Sequence, residues 1–335
     1  MAETNEKVAY EDELIALRDG RDLSVFDLTS VDYLTAEDLE LIFTLARKFK
    51  ELKTAKLSLC KGHSQVNVFF ESSTRTQSSF DLSAKHLGMD TTNVGSGNRD
   101  KKGESILDTI ETLGAYNVHT LIIRSAEAGV AEFVARHVPA AVVNAGDGWH
   151  EHPTQGLLDA LTMLDHFGTV DLEGKTVLVV GDLLHSRVFG SLVRILVKLG
   201  ASVRVAAPRT MMPAHVERFG CTHFDNVDEA LFQADVVYTL RVQEERGAGG
   251  FIPTLREYSK TFGISEKRLS LAAKDAILMH PGPVVRDIDV HSALVSRHPQ
   301  SRVLAQVENG MAVRKAVLYL LAMRSDERFK PYIQL

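Results

Sequence analysis

Apolar residues recur along this chain in two alternating rhythms. Short, dense apolar runs predict strands at residues 66–70, 120–124 and 141–144, and a further strand is read at 91–94. Between them the apolar spacing lengthens to three or four, the period of a helix with one buried face. Helices are predicted at 35–53, 77–87, 105–113, 131–136 and 154–166. The first opens on a capping-box-like Thr35-Ala36-Glu37-Asp38 and continues through Leu39, Leu41, Ile42, Leu45 and Phe49. The second carries Phe80, Leu82, Ala84 and Leu87 on its apolar side. A second series follows Gly168, with strands at 176–180, 202–206, 236–240 and 276–279. Its helices are predicted at 187–199, 213–219 and 227–234. A last helix, 310–322, is apolar enough (Val313, Ala316, Val317, Leu318, Leu320, Leu321) to require burial. Residues 1–20 are polar and acidic and read as a loose extension.

Apolar strands alternating with amphipathic helices imply parallel sheets covered on both faces. The fold class is therefore α/β, with two doubly wound parallel-sheet domains and a cleft between them. The expected boundaries are 1–165, 166–305 and a C-terminal helix, 306–335, returning to the first domain. Ligands in such folds lie beyond the carboxyl ends of the strands, and each polar cluster below falls at such an end.

Composition narrows the function classes. At 335 residues the chain suits two domains, and 44% hydrophobic with 24% charged residues is ordinary for a soluble globular protein. No apolar run approaches the roughly 20 residues that span a bilayer. The first residues lack a basic-then-apolar leader, so a cytoplasmic location is expected. A net charge of −6 argues against general nucleic-acid binding, although local arginines can still hold a small anion. Cys60 and Cys221 stand far apart in no metal-binding spacing and read as reduced, structural residues.

The most informative cluster is Ser73-Thr74-Arg75-Thr76, where a strand feeds a helix. The first turn of a helix offers unpaired N–H groups and the positive end of the peptide dipole. Hydroxyls there serve equally as a helix cap or as a phosphate cradle. Arg75 favours the cradle, because a cap needs no cation. Arg124 closes a buried strand and either enters a cleft or escapes to solvent.

The stretch 147–155 carries His150, Glu151, His152, Pro153, Thr154 and Gln155 at the start of a helix. A metal site is disfavoured, because the histidines lack helical zinc spacing and have no evident third ligand. His152 and Gln155, three apart across Pro153, can face one ligand. Gly181 stands alone where a dinucleotide-binding turn would need three glycines, so a dehydrogenase is disfavoured. Arg187 then suggests a second anion site. Arg241 and Gln243 share one face of an extended segment, and an arginine grips a carboxylate with two parallel bonds. His280-Pro281-Gly282-Pro283 forms a stiff turn with carbonyls able to accept from an amine. Lys102 lies in a polar stretch, 95–105, with no phosphate-loop signature.

Together these clusters resemble the transcarbamoylase family, specifically the aspartate carbamoyltransferase catalytic chain, over about residues 22–323. Ser73-Thr74-Arg75-Thr76 matches the family's carbamoyl-phosphate signature. Lys102-Gly103-Glu104, Arg124, the His152–Gln155 run, Arg187, Arg241-Val242-Gln243 and the His280–Pro283 turn follow in the family's order. The last two favour aspartate, since an ornithine enzyme would carry a cysteine in that turn.

The resemblance implies transfer of a carbamoyl group from carbamoyl phosphate to L-aspartate, an early step of pyrimidine biosynthesis, with no metal or cofactor. It implies that Ser73, Thr74, Arg75 and Thr76 hold the phosphate. Thr76, Arg124 and His152 would polarise the carbonyl, while Gln155, the Pro281 carbonyl and Gly282 would orient the carbamoyl amine. Arg187, Arg241 and Gln243 would grip aspartate. It further implies a homotrimer whose sites lie at subunit interfaces, with Lys102 and Ser96 reaching in from a neighbouring subunit. A larger assembly with regulatory or dihydroorotase chains stays open. So do two alternatives: a non-catalytic homologue serving as an assembly partner, and a carbamoyltransferase for another amino acid.

Overall fold

The computed structural model describes residues 2–51, 56–95, 103, 105–243, 252 and 254–329, with side chains described between residues 7 and 324. The chain divides into two compact units, Met1–Thr154 with Glu308–Leu335, and Gln155–Val307.

In the first unit, β1 (Ser64–Phe69), β2 (Asp90–Gly95), β3 (Thr120–Ser125) and β4 (Ala141–Asp147) form a parallel sheet in the order β2-β1-β3-β4. Its helices are α1 (Ala2–Arg18), α2 (Ala36–Glu51), α3 (Thr74–Leu87), α4 (Ile106–Gly114) and α5 (Val130–Ala135). Strand alternation sorts the core. Val66, Val68, Leu121, Ile123 and Val142 pack with Ile110 and Leu113 of α4 and Val130 and Val134 of α5. The opposite face of β1 carries Gln65 and Asn67, both buried. Their amides run in series: Gln65 Nε2 donates to Asn67 Oδ1 at 2.9 Å and Asn67 Nδ2 to Asn93 Oδ1 at 2.9 Å.

The last helix of the chain, Val303–Phe329, is long enough that its C-terminal part belongs to the first unit. There Arg314 donates to Ser79 Oγ at 2.8 Å and lies over the Phe80 ring, while Lys315 Nζ donates to the Phe49 carbonyl at 3.0 Å. Residues 1–20, expected to be loose, instead contain α1, which packs on α2. Leu14 is fully buried and the Tyr10 hydroxyl donates to the Lys48 carbonyl. So narrow an apolar stripe, two residues four apart, was too weak a pattern to signal a helix.

In the second unit, β5 (Thr176–Val180), β6 (Ser202–Ala206), β7 (Cys221–Phe224), β8 (Val236–Thr239) and β9 (Ile277–Met279) form a parallel sheet in the order β7-β6-β5-β8-β9. Its helices include α6 (Pro153–Phe167, of which residues from Gln155 belong here), α7 (Arg187–Lys198), α8 (Val227–Leu231), α9 (Leu255–Phe262) and α10 (Glu266–Leu269); α11 is the long final helix. β7, α9 and α10 were not predicted, being short and largely polar, and 213–219 holds only a 3-10 turn at Val216–Phe219. Both sheets start at a central strand, extend to one edge and resume on the other side. The reversals fall between β1 and β3 and between β5 and β8, where doubly wound sheets bind ligands.

Candidate active site

β1 runs into α3 through Ser73, the residue at the N-cap position. Its backbone is extended, yet its side chain makes no cap hydrogen bond; Ser73 Oγ pairs instead with Thr76 Oγ1 at 3.1 Å. By contrast, Ser105 closes a full capping box on α4. The leading N–H groups of α3 thus lack the side-chain cap that the sequence alone could not exclude, and the anion reading gains. Thr74 and Arg75 are exposed beside them.

Arg124 sits opposite Phe69 in the β1–β3 register and is only 9% exposed, so it does not escape to solvent. Its Nη1 donates to the Ala145 carbonyl at 2.9 Å, and Nε faces Glu71 Oε2 at 3.6 Å. The guanidinium therefore lies across the ends of β3 and β4, beside the chain that leads from β1 into the Ser73–Thr76 turn.

β4 ends in a loop built on Asp147. One carboxylate oxygen accepts from Asn144 Nδ2 at 2.9 Å and the Glu151 amide at 3.0 Å. The other accepts from the Gly129 amide at 2.7 Å and pairs with His150 Nδ1 at 3.1 Å. Burial pushes the Asp147 carboxyl up, but the bonds from His150, Asn144 and Gly129 outweigh it and hold the acid below its ordinary range. Gly148 adopts φ +49°, and a Cβ there would lie 2.9 Å from the Ala128 nitrogen, so the loop requires glycine. Glu151 is fully buried; its carboxylate accepts from the Ser30 hydroxyl and from the Val31 amide at 3.0 Å. It anchors the loop, which delivers the buried His152 to the start of α6.

In the second unit, Gly181 follows β5 at φ +135°, and a Cβ would meet the Leu240 carbonyl at 2.5 Å. That close approach brings the ends of β5 and β8 together. Asp182, fully buried, accepts from His185 Nδ1 at 2.8 Å and from the Gln243 amide at 3.2 Å. It thereby fixes the chain that carries Arg241 and Gln243, whose side chains meet at 3.1 Å, Arg241 Nη2 donating to Gln243 Oε1. Arg187 opens α7 behind Ser186, which caps the helix, and is buried.

The turn after β9 is held by His280 and Asp289. The Gly282 amide donates to His280 Nδ1 at 2.7 Å, so Nε2 carries the proton it offers Asp289 Oδ2 at 3.2 Å. Asp289 also accepts from the Val242 amide at 3.4 Å, joining the Pro281 turn to the Arg241 segment. Gln155 Nε2 donates to Asp159 Oδ1 at 3.0 Å, one turn along α6. Asp159 also accepts from Gln306 Nε2 at 2.7 Å and from the Tyr238 hydroxyl at 2.5 Å. Burial, reinforced by the Asp159 charge, pushes the Tyr238 phenol well above its ordinary value.

The first unit thus brings together Ser73, Thr74, Arg75, Thr76 and Arg124 at strand ends, with His152 on the adjoining loop. The second gathers Gln155, Arg187, Arg241, Gln243, Pro281 and Gly282. Ser96 and Lys102 lie outside the described residues. Sequence reading missed the buried carboxylates Asp147, Asp159, Asp182 and Asp289, and Glu71 beside Arg124. The Gln155/Asp159 spacing of four was an available signal; nothing local marked Asp289.

Residues 27–165 match the family model of the aspartate/ornithine carbamoyltransferase carbamoyl-P binding domain, and residues 173–321 match that of the Asp/Orn binding domain. The aspartate carbamoyltransferase catalytic subunit of Desulforamulus reducens is 46% identical over 299 residues, covering 88% of this chain and 95% of that protein. That of Beijerinckia indica is likewise 46% identical, covering 88% and 93%. Among solved structures, Trypanosoma cruzi aspartate transcarbamoylase in complex with N-(phosphonacetyl)-L-aspartic acid is similar at 29% identity and TM-score 0.79, covering 88% of this chain and 94% of that one. The Thermus thermophilus ornithine carbamoyltransferase is similar at 27% and TM-score 0.79, covering 89% and 99%. Two matched domain models and these relatives agree: the chain belongs to the aspartate/ornithine carbamoyltransferase family.

Proposed function

We propose that this protein is an aspartate carbamoyltransferase, transferring the carbamoyl group of carbamoyl phosphate to L-aspartate to give N-carbamoyl-L-aspartate and phosphate. The observation that carries the choice of amino acid is the Arg241–Gln243 pair, a cationic fork beside an amide, with Arg187 in the same unit. Such groups suit the carboxylates of aspartate; the cationic side chain of ornithine would face like charge. The names of the 46% identical relatives support the same reading.

In the chemistry proposed, Ser73, Thr74, Arg75 and Thr76 hold the phosphate at the start of α3. Thr76, Arg124 and His152 donate to the carbamoyl oxygen and stabilise the negative charge that grows there. Gln155 and the Pro281 carbonyl, next to Gly282, accept from the carbamoyl amine and fix its orientation. Arg187, Arg241 and Gln243 hold aspartate so that its neutral α-amine attacks the carbonyl carbon. The new C–N bond forms, the tetrahedral intermediate collapses, the C–O bond to phosphate breaks, and the departing phosphate takes the amine's proton. Positioning and fixed dipoles supply the rate enhancement.

The reading extends to a cytoplasmic homotrimer in pyrimidine biosynthesis, with Lys102 and Ser96 contributed by a neighbouring subunit. Ureido-product assays with carbamoyl phosphate and either aspartate or ornithine test the reaction. Product with aspartate alone is expected; product with ornithine and none with aspartate overturns the assignment. A solution mass three times the 37.0 kDa of one chain tests the trimer.

A further inference from the structure

We infer that Asp159 is a positioning residue that decides which end of the Gln155 amide meets the carbamoyl group, and so sets discrimination between carbamoyl and other acyl phosphates. The inference rests on the proposed role of Gln155. Asp159 is fully buried and touches Gln155 Nε2 at 3.0 Å, Gln306 Nε2 at 2.7 Å and the Tyr238 hydroxyl at 2.5 Å.

A carboxylate only accepts, so every amide that reaches it must present its NH2 end. Gln155 is thereby turned so that its carbonyl oxygen is the end available to a ligand. The polarity is enforced twice. Gln306, with its NH2 end on Asp159, gives its Oε1 to the His280 amide at 3.0 Å. The same carboxylate therefore orders both Gln155 and the strand end that leads into the Pro281 turn. Tyr238 rises from β8 beneath them and supplies a third donor, which leaves little freedom for Asp159 to rotate.

The chemical consequence is specific. A carbamoyl group carries an NH2 that needs acceptors, and the Gln155 carbonyl is one. A flipped Gln155 would set donor against donor and would favour groups without an amine. Acetyl phosphate has a methyl where carbamoyl phosphate has the amine, and the two are otherwise close in shape. Discrimination between them therefore reports the orientation of the Gln155 amide.

The test compares kcat/KM for carbamoyl phosphate with the inhibition constant of acetyl phosphate in the intact enzyme. Asp159→Leu is expected to lower the carbamoyl preference about tenfold, the scale of one hydrogen bond lost and one repulsion gained, with the acetyl phosphate constant nearly unchanged. Asp159→Asn is expected to restore most of the preference, because its carbonyl can still accept from Gln155 while its NH2 faces the phenolic oxygen. Equal losses for both acyl phosphates in Asp159→Leu would reduce Asp159 to a structural role and overturn the inference. Gln155→Ala separates the two readings. If it leaves the preference intact, the role of Gln155 fails; if it abolishes the preference and Asp159→Leu does not, only the inference fails. Should Asp159→Leu not fold, the wild-type crystal structure with phosphonoacetamide decides. Gln155 held on Asp159 with its other end within hydrogen-bond distance of the ligand amine supports the inference; Gln155 released from Asp159 overturns it.

Discussion

Asp147→Asn is the sharpest perturbation of the loop that carries His152. The carboxylate accepts two bonds on each oxygen, from Asn144 and the Glu151 amide on one, and from the Gly129 amide and His150 on the other. An asparagine keeps the shape but turns one oxygen into a donor. Whichever way it rotates, its NH2 faces a backbone N–H, that of Glu151 or that of Gly129, and that bond to a charged acceptor, about 1.5–3 kcal/mol, is lost. The bonds that remain lose their charged acceptor as well, so the upper end, about 3 kcal/mol, is the working value. For a unit of this size that is a fall in Tm of about 6–12 °C by scanning calorimetry. The pH dependence follows in sign. The folded-state pKa of Asp147 lies below its ordinary 3.8, so its contribution is complete above that value and is lost as pH falls through the folded pKa. The gap between wild type and variant should therefore be flat near neutrality and close in acid. The loop also carries His152, so kcat should fall with stability. A Tm within about 2 °C of wild type at pH 7 would refute the four-bond clamp.

Arg75→Ala should weaken phosphate binding by about 1.5–3 kcal/mol, roughly 10- to 100-fold in Kd by calorimetry; unchanged affinity would count against the cradle. Arg241→Ala should raise the KM for aspartate at least tenfold while leaving phosphate affinity near wild type; a change confined to phosphate would reverse the division of labour between the units. Burial lowers the Lys315 pKa from 10.5 to about 8, so its charge opposes folding at pH 7 by about 3 kcal/mol. Between those values the unfolded chain binds more protons, so this penalty fades as pH rises from about 8 towards 10.5. Lys315→Met, which also gives up the bond to the Phe49 carbonyl, should gain about 2 kcal/mol in urea unfolding at pH 7, an advantage that disappears near pH 10; a variant less stable at both pH values would contradict this.

Periodicity along the chain was enough to locate β1, β3, β4, β5, β6, β8 and β9, because buried parallel strands are written as continuous apolar runs. It was enough, too, to place the arginines and hydroxyls at strand ends, since the motifs are contiguous. Short or polar elements such as β7, α9 and α10 carry no such signature. α1 depends on Leu14 and Tyr10 finding α2, a contact no local pattern states. That Ser73 makes no side-chain cap became visible only with its hydroxyl on Thr76. Likewise, that Arg124 stays at the strand ends rather than escaping to solvent became visible only because the Ala145 carbonyl and Glu71 receive it. The sequence by itself determined which groups could do the chemistry. Tertiary structure decided how they are aimed, through Asp147, Asp159, Asp182 and Asp289. A buried carboxylate imposes direction on every donor that reaches it, and some of those donors, such as Tyr238 and Gln306 on Asp159, Gln243 on Asp182 and Val242 on Asp289, come from segments far apart in the chain.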